Sequence, residues 1–352
     1  MIFNSWLFGL FGVIVYLLYW FAIPRNWRPA FLMLAGLIFY AASIPAYTIL
    51  IVALGAVTYG VGRWLLALRP DATVARRWAL TVGVVACVGV LAFFKYTKLF
   101  AGTFEGLCKH GCTHVLPDII VPLAISFFTF EYVHVLVDVY KGKITALGAR
   151  DFWLFSLFFP TMVAGPIKRY QNFVPQIETM LARRRIDPIL FATGVFRIAL
   201  GLAKKAIVAD SMNPLVAPLL APGPTFTHAD YWIGALAYAV KIYFDFSGYS
   251  DIAIGCALLL GFEILENFDR PYWSGNISIF WRRWHISLSS WIRDYVFIPL
   301  GGSRRGKVVA LINLTFVMAV AGPWHGAAWH FVAWGLWHGT GLGLHRVWEL
   351  TI

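Results

Sequence analysis

The chain has 352 residues, of which 60% are hydrophobic, 17% aromatic and only 13% charged. Soluble domains carry about 25% charged residues, which excludes a water-exposed globular protein and implies a chain whose outer surface faces lipid. The net charge of +12 does not point to nucleic acid: the Lys and Arg residues fall in short clusters between apolar runs, the positive-inside pattern of cytoplasmic loops, where they also meet anionic lipid headgroups.

In chain order, residues 2–23 form an apolar run followed by Arg25 and Arg28. A signal peptide has its charge before the run and a small-residue cleavage site after it, so an uncleaved first span with its N-terminus outside is expected. Residues 29–44 return, Pro45 breaks the chain, and 47–67 lead inward to a loop bearing Arg69, Arg76 and Arg77. Residues 78–94 run outward to a polar stretch, 99–118, and 119–139 return to Lys141, Lys143 and Arg150. The run 151–167 is interrupted by Pro160, Gly165 and Pro166 and has basic residues at both ends. That is the pattern of a re-entrant segment, tolerated at membrane depth only where protein or a water-filled cavity covers the backbone. Arg183–Arg185 reads as a cytoplasmic loop, and Lys204 and Lys205 close a helix from 188. Residues 229–246 and 249–264 are two further runs, 276–298 an aromatic and basic amphipathic stretch, and 308–323 and 327–347 close the chain. The length accommodates about eight to ten spans of about 20 residues. No repeat, low-complexity tract or long linker divides it, so a single all-α membrane domain over 1–352 is expected.

The densest chemical signal runs from Phe280 to Tyr295, where Trp281, Trp284 and Trp291 bracket Arg282, Arg283 and Arg293 at helical spacing. An interfacial helix accounts for the Trp and Arg residues, with rings in the headgroup layer and guanidiniums on phosphates. It accounts less well for His285 and Asp294. The loop Leu300-Gly301-Gly302-Ser303-Arg304-Arg305-Gly306-Lys307 is either a basic cytoplasmic turn or a place where backbone N–H groups meet the phosphates of a donor. In Gly322-Pro323-Trp324-His325-Gly326 a histidine stands where a span meets a Pro/Gly break. An ionisable group at membrane depth is a functional-site hypothesis, and the small Gly326 lets a substrate approach the backbone; the bland reading is a satisfied core histidine. Of the nine histidines, His325, His330, His338 and His345 lie in the last 28 residues. Only Glu349 stands near to complete a ligand set, so no metal is expected. Cys108, His110, Cys112 and His114 fit a disulfide, free thiols or a zinc site, and Cys87 and Cys256 read as core.

These motifs carry a resemblance. The run from Phe280 to Tyr295, then Pro299-Leu300-Gly301-Gly302, Trp324-His325-Gly326 and a second Trp337-His338-Gly339 resemble the core of the membrane-bound O-acyltransferase family. Within it the chain is similar to the bacterial branch that includes the membrane proteins of alginate and peptidoglycan O-acetylation and of teichoic-acid D-alanylation. Phe94-Lys95-Tyr96, Pro122-Leu123-Ala124-Ile125-Ser126-Phe127, Ala164-Gly165-Pro166-Ile167 and the stretch from Tyr243 to Asp251 match the same branch, so the resemblance spans nearly the whole chain. It implies a polytopic helical bundle with re-entrant and interfacial helices around a central tunnel. It also implies an essential catalytic histidine at His325 and a second functional histidine at His285. Members continue for one or more helices beyond the second Trp-His-Gly, whereas this chain stops at Ile352, as a truncated or a minimal member.

Acyl transfer needs a base for an acceptor hydroxyl and stabilisation of the developing oxyanion, and imidazole titrates near neutrality. His325 is therefore expected as general base or transient acyl carrier, with His285 assisting from the cytoplasmic mouth. Asp245, Asp251 and Asp294 would orient a histidine or pair with Arg282, Arg283 or Arg293; ion pairs within the bundle are the bland alternative. Trp324, Asp245, Arg282, Arg283, Asp294, Gly301, Gly302, Arg304 and His338 are expected along the tunnel or at the donor. By resemblance, the donor is a cytoplasmic acyl thioester, acetyl-CoA, with no bound cofactor, and the acceptor is an extracytoplasmic polysaccharide. A serine-hydrolase-like extracytoplasmic partner and a location in the bacterial cytoplasmic membrane follow from the same resemblance. D-alanyl transfer to teichoic acid is the alternative within the family. A transporter or flippase is the alternative outside it, since broken helices and a buried histidine also suit a substrate path.

Overall fold

The computed structural model describes residues 5–107, 119–221, 225–304 and 306–351. The candidate cysteine site at Cys108 and Cys112, and Arg305 of the Gly-Gly loop, lie outside the described residues. Helices and turns make up the described residues, with no strand among them. Two compact units interleave along the chain, one of Met1–Ser43 and Leu157–Phe268, the other of Ile44–Ser156 and Asp269–Ile352.

Helices α1 (Trp6–Leu17) and α2 (Arg28–Ala41) begin the first unit. Helices α3 (Pro45–Ala67), α4 (Thr73–Leu107), α5 (Ile125–Tyr140) and α6 (Ala149–Ser156) belong to the second. The chain returns to the first unit with α7 (Tyr170–Phe173), α8 (Pro175–Ala182), α9 (Pro188–Ala203), α10 (Asn213–Val216) and α11 (His228–Leu259). It completes the second with α12 (Ile277–Arg283), α13 (Ile286–Ile292), α14 (Lys307–His325) and α15 (Trp329–Thr351).

Three of these elements depart from the sequence expectation. Helix α4 runs on to Leu107 instead of ending at 94, because Lys95 and Lys98 add charge without breaking the helix and neither is a poor helix former. The runs 229–246 and 249–264 merge into α11, a helix of 32 residues opened by a capping box between Thr227 and Asp230. A lone Gly248 costs only about 1 kcal/mol in a helix and does not interrupt it. The stretch 276–298 is not one amphipathic helix: His285 takes a left-handed φ of 44° and separates α12 from α13.

Among the described residues, Pro45–Ala67, Thr73–Phe104 and Val308–His325 are long and apolar enough to cross a membrane, with Trp6–Ala22 as a shorter apolar helix. Helix α11 has the length, but Lys241, Asp245 and Asp251 lower its hydropathy. The 151–167 run becomes α6 and a 3-10 turn at Phe159–Thr161 whose three residues are all buried.

Close backbone contact organises both units. In the first, α9 and α11 meet at glycines: a β-carbon on Gly201 would lie 2.5 Å from the Gly248 carbonyl oxygen, and one on Gly248 2.8 Å from that of Gly201. Small residues at such crossings let two backbones touch. Nearby, the rings of Phe158, Phe173 and Phe262 pack with centroids 4.8–4.9 Å apart. In the second unit α14 and α15 form a hairpin packed the same way, with a β-carbon on Gly339 falling 2.7 Å from Thr315 Cα. That close hairpin sets the frame for the histidines.

Candidate active site

Helix α14 ends in Pro323, Trp324 and His325, and Gly326 leaves it in extended backbone. The last carbonyls of a helix have no partner within it. Here Lys95 of α4 supplies one: its Nζ donates to the Trp324 carbonyl oxygen and, at 3.4 Å, to Ser126 Oγ of α5. The end of α14 is thereby tied to two other helices of the second unit.

Aromatic rings wall the space around this end. Trp324 stands between two imidazoles, with His325 at 4.7 Å and His285 at 5.3 Å between centroids. Phe127 and Phe130 of α5 pack on Trp324 at 6.1 and 5.8 Å. Trp291 of α13 donates from Nε1 to the Phe130 carbonyl at 2.9 Å. On the other side Trp334 meets His325 edge-on at 4.8 Å, and His338, one helical turn further along α15, lies 4.7 Å from Trp334. Trp281 of α12 closes this side, 5.3 Å from His338 and 5.7 Å from Trp334.

The two histidines differ in access. His325 is exposed, whereas His285 is fully buried. His285 sits at the corner between α12 and α13, outside the spanning helices. Burial there, helped by the neighbouring His325, holds its imidazole well below the ordinary histidine range and therefore neutral. A left-handed backbone at a residue other than glycine is uncommon and gathers at functional sites. Three further polar atoms, Trp281 Nε1, Trp324 Nε1 and His338 Nδ1, are buried without a hydrogen-bond partner among the described residues. Buried polar atoms are normally satisfied, and these three belong to side chains within the same cluster of rings.

The structure gathers His325, His285, Trp324 and His338, and leaves other candidates apart. Asp245 belongs to the first unit and pairs with Lys205 at 2.7 Å. Asp251 there accepts from Arg197 and Lys204, both at 2.5 Å. Asp294 pairs with the adjacent Arg293 at 2.9 Å, the one aspartate of the three whose partner is among the expected arginines. Arg283 faces Asp269 at 3.9 Å, and Arg282 is exposed on α12. The backbone N–H groups of Gly301 and Gly302 donate to the carbonyls of Ile298 and Phe297 at 3.0 and 2.9 Å, so this turn does not offer them to a phosphate. Positive φ at both glycines, 108° and 54°, makes the turn. Asn313 of α14 holds it through the Leu300 carbonyl at 3.2 Å, and Arg304 beside it is exposed. His345 faces Glu349 at 3.6 Å.

Sequence reasoning did not single out Lys95, Trp281 or Trp334 as neighbours of the histidines. Trp334 and His338 carried a signal, since a spacing of four puts them on one helix face; Lys95 carried one too, as a cation within an apolar helix. An apolar groove of about 590 Å³ in the first unit, lined by residues such as Gly12, Tyr16, Val195 and Cys256, contains none of the candidate residues.

Comparison with known proteins bears on this chamber. Residues 78–350 match the family described as MBOAT, membrane-bound O-acyltransferase family. The chain is 38% identical over 349 residues to a probable alginate O-acetylase of Azotobacter vinelandii, covering 98% of this chain and 69% of that protein. It is 35% identical to a peptidoglycan O-acetyltransferase of Helicobacter pylori, over 93% of this chain and 65% of that one. It is 31% identical to a teichoic acid D-alanyltransferase of Bacillus subtilis, over 78% and 71%. The chain spans about two thirds of the length of these relatives.

Proposed function

The chain belongs to the membrane-bound O-acyltransferase family, and on that premise we propose that it moves an acetyl group from cytoplasmic acetyl-CoA toward a polysaccharide outside the bacterial cytoplasmic membrane. The observation that carries this reading is the pair of imidazoles on either side of Trp324, one exposed and one buried. An exposed imidazole at the end of a spanning helix meets an acceptor hydroxyl, and a buried neutral one beside it steadies the arrangement.

In the proposed reaction His325 takes the proton of the acceptor hydroxyl as its oxygen bonds to the acyl carbon. The carbon–sulfur bond then breaks, and the leaving thiolate recovers that proton from His325. A transient acyl group on His325 fits the same geometry. Trp281, Trp324 and His338 present polar atoms to the acyl or acceptor oxygens, and Arg304 attracts the phosphates of the donor. The N-terminus lies outside, and an extracytoplasmic serine-hydrolase-like partner completes transfer to the glycan. Relatives named for O-acetylation align over 93–98% of this chain, against 78% for the D-alanyltransferase, which favours acetyl over D-alanyl.

The test is thiol release from acetyl-CoA by the purified protein in lipid, beside His325→Ala of matched folding. Release by the wild type and its loss in the variant support the reading. Release with a D-alanyl carrier protein alone overturns the acetyl assignment, and equal release by both proteins overturns the role of His325.

A further inference from the structure

We infer that Lys95 supplies the positive charge that meets the oxyanion formed on the acyl carbonyl during transfer, an inference that rests on the acyltransferase reading above. Lys95 lies in α4, within the stretch Thr73–Phe104 that is apolar enough to cross a membrane. A charged side chain in such a stretch is costly wherever lipid surrounds it, and normally pairs with an opposite charge or with backbone carbonyls. Arg197, Lys204 and Lys205 of the first unit all meet carboxylates. Lys95 does not: among the described residues its partners are the Trp324 carbonyl and the Ser126 hydroxyl, with the rings of Trp324 and Tyr96 at 5.9 and 6.0 Å.

An ammonium has three N–H donors, and these two oxygens use two of them. Tying down the end of α14 does not require a charge, because a neutral amide donor would satisfy the Trp324 carbonyl without the desolvation cost of an ion. The cation is accounted for if negative charge forms beside it in the working cycle. The carbonyl it holds belongs to the residue before His325, which ties the ammonium to the end of α14 that carries the imidazole. Lys95 is half-buried, and a charge partly shielded from water acts more strongly on a developing oxyanion than it would in bulk water.

The acceptor oxygen attacks the acyl carbon while its proton passes to His325, and the carbonyl π pair moves onto the oxygen that faces Lys95. Collapse restores the carbonyl and breaks the carbon–sulfur bond, and the sulfur leaves with that pair and takes the proton from His325. Lys95 keeps its own protons throughout, touching only the oxyanion.

The experiment compares Lys95→Met, Lys95→Gln and Lys95→Arg with wild type and His325→Ala, measuring kcat and KM for acetyl-CoA in lipid and the unfolding temperature of each. Lys95→Gln retains a donor for the Trp324 carbonyl and lacks the charge. We expect Lys95→Met and Lys95→Gln each to lower kcat about 10²–10³-fold, with KM unchanged, and Lys95→Arg to recover at least about tenfold of that loss. Near wild-type kcat in Lys95→Gln overturns the inference and leaves Lys95 as a cap of α14. A rise in KM with kcat unchanged also overturns it, because the interaction would then be made equally in the ground state. An active wild type with undiminished Lys95 variants sinks this inference alone. A wild type that releases thiol from neither acetyl-CoA nor a D-alanyl carrier protein removes the acyltransferase reading and this inference together. If Lys95→Met does not fold, Lys95→Gln and Lys95→Arg decide.

Discussion

Helices α9 and α11 of the first unit and the histidine chamber of the second both hold polar groups in apolar surroundings, and they do so in opposite ways. Along α9 and α11, Arg197 and Lys204 share Asp251, Lys205 meets Asp245 and Asp210, and Arg197 also reaches Glu266. Around Trp324, the imidazoles face rings, Lys95 bonds neutral oxygens, and three buried polar atoms have no partner among the described residues. Matched charge holds helices together and has nothing left to offer a substrate. Unmatched polarity costs stability unless something arrives to complete it. On the proposed reading, the structural cluster pairs charge with charge, whereas the reactive one meets its charge and imidazoles with neutral groups.

Substitutions sharpen that contrast from its two ends. In the chamber, His325→Ala is expected to reduce thiol release about 10³-fold with little change in unfolding temperature; retained activity would erase the distinction at its strongest point. The reverse is expected at Asp251→Asn, which leaves Arg197 and Lys204 without their shared carboxylate. Breaking a buried pair costs about 3–5 kcal/mol, read as a lower unfolding temperature, while turnover per folded molecule stays the same. Should turnover fall with stability unchanged, Asp251 would belong to the chemistry after all.

His285→Ala is expected to lose about 10²-fold in kcat, a smaller loss because its imidazole is buried. Wild type and the variant should share the same pH profile in the range where free histidine titrates, since His285 is already neutral throughout that range and releases no proton within it. A break in the wild-type profile that disappears in this variant would show that it ionises during the cycle. The smallest effect is expected at Arg304→Ala, exposed beside the Gly-Gly turn. KM for acetyl-CoA should rise a few-fold at low salt and converge with wild type as salt screens the guanidinium; an effect independent of salt would argue against a phosphate contact.

Much of the helical plan was legible in the sequence. Residues 47–67 and 308–323 were marked as spans by hydropathy and emerge as α3 and α14. The expectation differed at two segments: the run 78–94 continues as α4 to Leu107, and the runs 229–246 and 249–264 form the single helix α11. Helix α11 stays continuous through Gly248, which lies against the Gly201 carbonyl of α9, a contact that cannot be read from either segment separately. The break at His285 escaped notice for the same reason, since nothing in Trp284-His285-Ile286 requires a left-handed turn. The histidines were legible as candidates by their place beside Pro323 and Gly326 and by family resemblance. Their surroundings were not.

Composition and the positions of the basic clusters determined by themselves that this is a helical membrane protein, and the ordered Trp-His motifs carried its resemblance to the O-acyltransferase family, which the family match shows. Those are properties of segments, and the membrane as solvent acts on segments one at a time. Only the tertiary structure decided which polar groups meet: that Lys95 bonds a carbonyl 229 positions away, that Asp245 pairs with Lys205, and that Trp281, Trp324 and His338 keep polar atoms open. Satisfaction of a buried polar atom depends on what the folded chain brings to within about 3 Å of it, and that distance is set by how helices pack.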